Sequence, residues 1–276
     1  MDGRPSLSVI VSTFNNPWHL SRSLCGYSLQ NLPATEILIA DDGSDERTRR
    51  VVEQWAQRLP VVHVWQEHGG FGKCAILNKA IAAAKGDYLV FSDGDCIPEP
   101  DFTAVHAAAA GAGRFLSGGA IRLPKEATEK VGFVEIRDGR IFTTEWLRQN
   151  RVPWKERLKL KRRTPWPSLL NSLSTTRATF NGNNSSAWRS DVLAVNGFDE
   201  RMVYGGLDRD LGERLERIGV KGYSIRYRAT AIHLDHPRSY KSVAGVAANL
   251  RIRLENASRG TSWTPYGLVA GPRPRP

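Results

Sequence analysis

Residues 72–96 read GKCAILNKAIAAAKGDYLVFSDGDC, and the change of period within this stretch decides the fold class. From about residue 74 to residue 84 the pattern predicts a helix, whereas residues 87–92 (DYLVFS) form a short, mostly apolar run suited to a strand buried on both faces. The strand empties directly into Asp93-Gly94-Asp95. A helix followed by such a strand is half of a βαβ unit.

Working outward, three more strands of the same kind are read at residues 7–12 (LSVIVS), 36–40 (EILIA) and 61–65 (VVHVW), separated by segments long enough to cross over. Pro17 sits where a helix would begin, and Leu20, Leu24 and Tyr27 follow at the spacing of one buried face. Ser44 is the expected cap of a second helix carrying Val51, Val52, Trp55 and Leu59, with Arg47, Arg49 and Arg50 facing water. The predicted class is α/β, with a mainly parallel central sheet flanked by helices.

Beyond residue 125 the periodicity becomes irregular. Residues 190–195 and 211–218 read as helices, 221–232 as a strand, and 242–257 as a helix with apolar Val243, Val246, Leu250 and Leu254. The expected organisation is a ligand-binding half at 1–125, a basic, Trp-containing insert at 126–180, a second functional half at 181–260, and an unpacked tail at 261–276 ending in GPRPRP. No internal repeat is found.

Composition bounds the rest. With 276 residues, 41% hydrophobic and 24% charged, the chain can bury a substantial core and is neither fibrous nor disordered by composition. Cys25, Cys74 and Cys96 have neither paired nor metal-ligand spacing, which favours a reducing compartment over a disulfide framework. No run approaches a membrane span and the first ten residues lack a signal-peptide pattern, so the expected location is cytoplasmic. The net charge of +11 is concentrated at residues 148–163 (RQNRVPWKERLKLKRR), which hold eight basic residues against Glu156. With Trp146, Trp154 and Trp166 and with Leu147, Leu158, Leu160, Leu169 and Leu170, the 146–170 segment fits peripheral contact with an anionic membrane at its inner face, or docking of an anionic acceptor. A solvated basic loop fits the same residues. Nucleic acid is not the expected partner.

Three acidic or imidazole clusters can carry chemistry. Asp41-Asp42-Gly43-Ser44 follows the second strand, where open α/β sheets bind ligands, although the same residues also suit a capped turn. Asp93-Gly94-Asp95 places two carboxylates at a strand end, enough to hold a hard divalent cation and through it a diphosphate. The run GGLDRD at residues 205–210 is followed by His233-Leu234-Asp235-His236, two imidazoles with a metal-ligand spacing that suits Mn2+ better than Mg2+. The GFGK stretch at 70–73 matches neither phosphate-loop nor dinucleotide spacing, which excludes an ATPase or dehydrogenase reading.

In this order, VSTFNN, ILIADDGS, the GFGK–DGDC stretch and GNNSSAWRSDVLAVNGFDE…YGGLDRDLGERL resemble the inverting family 2 glycosyltransferases of the GT-A, nucleotide-diphospho-sugar fold, over roughly residues 6–240. The last stretch is also similar to the C-terminal half of the β-1,4-galactosyltransferase catalytic domain. The resemblance implies a metal-dependent hexosyl transfer from a nucleotide-sugar donor, usually UDP-linked, to a glycan or lipid-linked acceptor in cell-surface polysaccharide or lipopolysaccharide synthesis. By it, Thr13, Asn15, Asp41 and Asp42 line the base and ribose pocket, Lys79 lies near base or phosphates, and Asp93 contacts ribose or a metal-bound water. Asp95, His233 and His236 hold the metal, and Asp208 is the catalytic base, with Asp210 a lesser candidate.

One departure stands out. Many relatives have a Glu-Asp pair where this chain has Leu207-Asp208. An alternative reading follows, in which a GT-A-like core of weakened catalysis serves as a polyanion- or membrane-binding module.

Overall fold

The computed structural model describes residues 4–163, 177–237 and 241–271. Its main sheet has seven strands in the order β3-β2-β1-β4-β8-β6-β9. These are β1 (Leu7–Thr13), β2 (Glu36–Asp41), β3 (Val61–Trp65), β4 (Tyr88–Asp93), β6 (Arg114–Ser117), β8 (Ser185–Trp188) and β9 (Lys221–Ser224). A second sheet, β5-β10-β7, joins β5 (Cys96–Pro98), β10 (Thr230–His233) and β7 (Gly119–Arg122). β1 runs parallel to both β2 and β4, and β2 runs parallel to β3, whereas β8 is antiparallel to its neighbours β4 and β6. The α/β class with a mostly parallel sheet is therefore present.

The first four strands are built from alternating positions that feed two different cores. Val9 and Val11 of β1 pack into one cluster, with Ile37, Ile39 and Val90, and Ile10 packs into the other, with Leu38, Leu89 and Phe91. Both faces are covered by helices, which explains why the strands read as unbroken apolar runs. β3 differs because it lies at the sheet edge. Val62 and Trp65 are 38% and 52% exposed, so this strand is not buried on both faces as its sequence implied.

Helices α1 (Pro17–Tyr27), α2 (Glu46–Ala56), α3 (Lys73–Ala83) and α4 (Phe102–Ala109) follow the first strands. Leu20, Leu24 and Tyr27 are buried as their spacing predicts. The cap of α2 is Asp45 rather than Ser44, its carboxylate accepting from the backbone N–H groups of Arg47 and Thr48. The 221–232 stretch is two strands in separate sheets, because the turn at 225–229 carries the chain from β9 to β10.

Other expectations change in the C-terminal half. The helix Val243–Ser258 turns Val243, Val246, Leu250 and Leu254 toward solvent, and its buried residues are Asn249 and Asn256. Asn249 donates to the carbonyls of Val203 and Gly205, and Asn256 to Asp210, so these hydrogen bonds, together with Ile252 packed on the second core, dock this helix. Residues 261–271, expected as an unpacked tail, are packed. Thr264 is buried and bonded to Asp199, and Asn196 bonds the carbonyls of Thr264 and Val269. Residues 272–276 lie outside the described residues.

Part of the basic insert also folds inward. Trp146 and Leu147 are buried in the first core together with Ile136, Ile141 and Val152, and are not available to a membrane surface. Trp154 is exposed, whereas Trp166, Leu169 and Leu170 lie outside the described residues. Among the described residues, no helix is long and apolar enough to cross a membrane.

Candidate active site

Strand register brings the acidic residues to one edge. Thr13 pairs with Asp41 across β1–β2, and Ser12 pairs with Asp93 across β1–β4, so the carboxyl ends of three strands finish level. In the second sheet, His233 lies opposite Cys96, which sets the imidazole beside Asp95. His233 and Cys96, 137 positions apart in sequence, meet only through this pairing.

Asp95 is the hub of the imidazole cluster. Its Oδ2 lies 2.9 Å from His236 Nε2 and its Oδ1 lies 3.8 Å from His233 Nε2, with the two rings stacked 5.7 Å apart. Burial alone would raise the Asp95 carboxyl, but the facing imidazoles outweigh it and hold the group well below the usual carboxylate range. His236 Nδ1 donates to the Pro237 carbonyl, which leaves Nε2 as the ring atom that faces the Asp95 carboxylate. A shared cation satisfies that arrangement. One carboxylate and two imidazoles are a donor set that suits a first-row divalent metal such as Mn2+, and the residues present therefore fit the metal that the fold implies.

Two neighbours of this cluster were not read from the sequence. Cys96 Sγ is 3.3 Å from Asp95 Oδ1, and Asp95, Cys96 and His233 bring their ligand atoms within 4.8 Å of one another. Burial pushes the Cys96 thiol up, so it is a protonated neighbour in this state. His19, on α1, donates its Nε2–H to the Asp235 carbonyl across 3.1 Å and stands edge-on to His236 with ring centres 6.2 Å apart. No local motif marks either residue; only the packing of α1 and β5 against the 234–236 loop reveals them.

The second cluster centres on a lysine. Lys73, at the first turn of α3, donates to Asp93 Oδ1 at 2.7 Å, and Ser12 Oγ donates to the same oxygen at 2.7 Å. Burial would lower the Lys73 pKa, but Asp93, Asp208 and Asp95 around it raise it, so the ammonium is firmly charged. Lys79 was the expected residue here. It lies on the outward side of α3, exposed, beside a surface hollow formed with Gln66 and Phe71. The helical turn explains the exchange: six residues at about 100° each leave positions 73 and 79 about 120° apart around the axis, on different faces.

Asp208 sits in the first turn of the helix Leu207–Arg217, which starts four residues earlier than its sequence pattern indicated. Gly205 and Gly206 both have positive φ, at 101° and 89°, a conformation that lets the loop turn sharply into the helix. Burial pushes the Asp208 carboxyl up to about 6, with Asp93 adding to the rise and Lys73 opposing it. Its Oδ1 has no hydrogen-bond partner among the described residues. A buried carboxylate oxygen without a partner is costly to fold and available to a hydroxyl proton.

The neighbours of Asp208 resolve two questions from the sequence. Leu207 is 4% exposed and packs with Phe180, Phe198 and Leu211, so its side chain belongs to the core and not to the cleft. Asp210 is fully buried, bonded to Arg214 Nε at 2.7 Å and to Asn256 Nδ2 at 3.0 Å, which commits it to structure.

The remaining expected residues form the loop around the first two strands. Asp41 is fully buried and accepts from Ser44 N at 2.9 Å, with His63 Nε2 also at 2.9 Å. Asp42 accepts from Gln66 Nε2 and from Gly72 N. Asn15 accepts from Asp45 N, and its own N–H donates to Ser44 Oγ. In this state Asn15, Asp41 and Asp42 hold the loop in shape, and Thr13 lies at the level of Asp41 as the lower wall. Phe14, 42% exposed and stacked on His68 at 4.3 Å, provides an aromatic face at the same edge.

A family model described as glycosyl transferase family 2 matches residues 8–168. The chain belongs to that family. It is 25% identical to the uncharacterized glycosyltransferase YfnE of Bacillus subtilis (strain 168), over 97% of this chain and 74% of that protein. It is 29% identical to the validoxylamine A glucosyltransferase of Streptomyces hygroscopicus subsp. jinggangensis, over 86% of this chain but 57% of that enzyme. Among solved structures, the mannosyltransferase PcManGT of Pyrobaculum calidifontis, in complex with GDP-Man and Mn2+, superposes with a TM-score of 0.60 at 20% identity, over 94% of this chain and 65% of that one. TarS of S. aureus superposes with a TM-score of 0.61 at 15% identity, over 91% of this chain and 39% of that one. The fold is that of the GT-A glycosyltransferases, and this chain spans little more than half of several relatives.

Proposed function

We propose that the chain transfers a sugar with inversion from a nucleotide-diphospho-sugar, UDP-linked, to a hydroxyl of a glycan or lipid-linked acceptor in polysaccharide assembly. The observation that carries the reading is Asp208: a carboxylate raised to about 6, with one oxygen unpartnered, held near Asp93 and Lys73 at the carboxyl edge of the sheet.

Each residue then has a task. Asp208 accepts the proton of the acceptor hydroxyl as its oxygen attacks the anomeric carbon. Lys73 keeps Asp208 ionised near neutral pH and supplies positive charge where the diphosphate lies. Asp93, fixed by Ser12 and Lys73, bounds the ribose. Asp95, His233 and His236 would hold a divalent cation, Mn2+ or Mg2+, which when bound neutralises charge developing on the departing diphosphate. The aromatic face of Phe14 and the Asp41–Asp42 loop form the wall for the base.

The relatives' names support this reading without carrying it: one is a glucosyltransferase, and a chondroitin synthase of Escherichia coli is 27% identical over 84% of this chain and 35% of that enzyme. Thermal stability against UDP, GDP, CMP and ADP, each with and without Mn2+, tests it. A Mn2+-dependent rise with UDP that is lost in Asp95→Ala is expected. No rise with any nucleotide would overturn the transferase reading.

A further inference from the structure

A second cleft opens on the other side of the Asp208 loop. It has a volume of about 190 Å3 and is lined by residues 117–120 together with Arg122, Lys159, Asn181, Asn183 and Arg226. Its charge is one-sided. Lys159 is 8% exposed and donates to Glu156 and to the Ala120 carbonyl, both at 2.7 Å. Glu156 also accepts from the backbone N–H of Arg122, so the single carboxylate is already shared. Among the described residues neither the Arg122 nor the Arg226 guanidinium makes an ion pair, although the charge of Arg122 helps hold the Glu156 carboxyl down, and after burial itself both are among the influences that depress the Lys159 ammonium. Arg177 at the rim pairs with Glu216 and is neutralised there.

Cations gathered round one shared carboxylate repel each other, and the cost is recovered only when an anion enters. The uncharged lining is of a different kind. Asn181 Nδ2 donates to Ser117 Oγ at 3.3 Å and the Ser117 hydroxyl donates to the Thr179 carbonyl, an amide and hydroxyl surface suited to sugar hydroxyls.

The cleft and the candidate base share a wall. Asn181 and Asn183 flank Gly182, and a Cβ at position 182 would stand only 2.7 Å from Asp208 Oδ1. The loop that lines the cleft with Asn181 and Asn183 therefore packs against the candidate base through Gly182. By contrast, the imidazole cluster of Asp95 lies at the turn before β5 and on the 233–236 segment and contributes nothing to the cleft lining.

We propose that this cleft is an acceptor subsite for an oxyanion, so that the sugar acceptor is itself anionic and its carboxylate or phosphate is held by Arg122, Arg226 and Lys159 while its hydroxyl reaches Asp208. The assignment rests on the transferase reading above. The anion comes from a uronic acid or from a phosphate ester, which share the chemistry a guanidinium pair recognises.

The test is calorimetric titration of the full chain, at low ionic strength and saturated with UDP and Mn2+, with methyl glucuronide, inorganic phosphate and neutral methyl glucoside. An anionic probe binding at least about tenfold tighter than methyl glucoside, with Arg122→Gln and Arg226→Gln each weakening it about tenfold while UDP affinity holds, is the expected result. Preference between glucuronide and phosphate names the source. Equal binding of neutral and anionic probes, or indifference to both substitutions, overturns the proposal. So does displacement of phosphate by UDP, which would place the cations on the donor diphosphate. If UDP does not bind at all, the donor reading fails, and the same titration without nucleotide still decides the anion site.

Discussion

Lys73 Nζ lies 2.7 Å from Asp93 Oδ1 and is surrounded by the fields of Asp208 and Asp95 as well. One cation thus serves three carboxylates that come from two strand ends and a helix start. Removing it leaves like charges facing each other. Lys73→Ala is expected to raise the apparent pKa of Asp208 above about 6 and to shift the acid limb of the transfer rate to higher pH. Lys73→Arg, which keeps the charge, is the control. A pH–rate profile of kcat/KM checks both, and an unmoved limb would break the link.

The same carboxyl sets the pH dependence of the native enzyme. Asp208 must be ionised to accept a proton, so activity is expected to rise with pH and reach half its plateau near the folded value of about 6. Stability runs the other way. The folded state binds this proton more tightly than the unfolded chain, so the contribution of Asp208 to stability is lost as pH rises from about 4 through about 6. Asp208→Asn should therefore lower transfer by about a hundred- to ten-thousand-fold while raising Tm at pH 7. Calorimetry and steady-state rates on one preparation read both signs.

Asp95→Ala and His236→Ala should each abolish stabilisation of the nucleotide complex by Mn2+, because the first removes the hub carboxylate and the second its partner at 2.9 Å. Titration of Mn2+ followed by its paramagnetic resonance signal gives a readout independent of turnover. Retained tight Mn2+ binding in both variants would place the metal elsewhere.

Asp210 and Arg214 predict a stability effect without a direct chemical one. Arg214 is fully buried, donating to Asp210 and to the carbonyls of Val195 and Gly197. Asp210→Ala strands that charge and should destabilise the fold by about 3–5 kcal/mol, measured by denaturant unfolding. The protein that remains folded should retain its pH optimum.

Membrane contact is testable with the exposed part of the basic insert. If Lys155, Arg148, Arg151 and Trp154 dock on anionic lipid, phosphatidylserine vesicles should sediment the chain at low salt and release it as salt rises. Failure to sediment at low ionic strength ends that version.

The sequence determined the βαβ half of the fold and the identity of its chemistry-bearing ends. Strand alternation and α1 spacing are local signals, and DGD after an apolar run marks a strand end regardless of what packs on it. Asp93, Asp95, His233 and His236 stood out as candidates by residue type and spacing, and the role of Asp208 came from the family resemblance. Tertiary structure decided what was not local: the pairing of His233 with Cys96, the reach of Lys73 rather than Lys79, the approach of His19, and the inward turn of Leu207. It also decided that Asp210 is structural and that Asn249 and Asn256, not the apolar stripe, dock the last helix. The physical reason is common to all of these. A one-dimensional pattern fixes which face of an element a residue occupies, but only the packing of distant elements determines which charges share a low-dielectric space, and those fields set the chemistry.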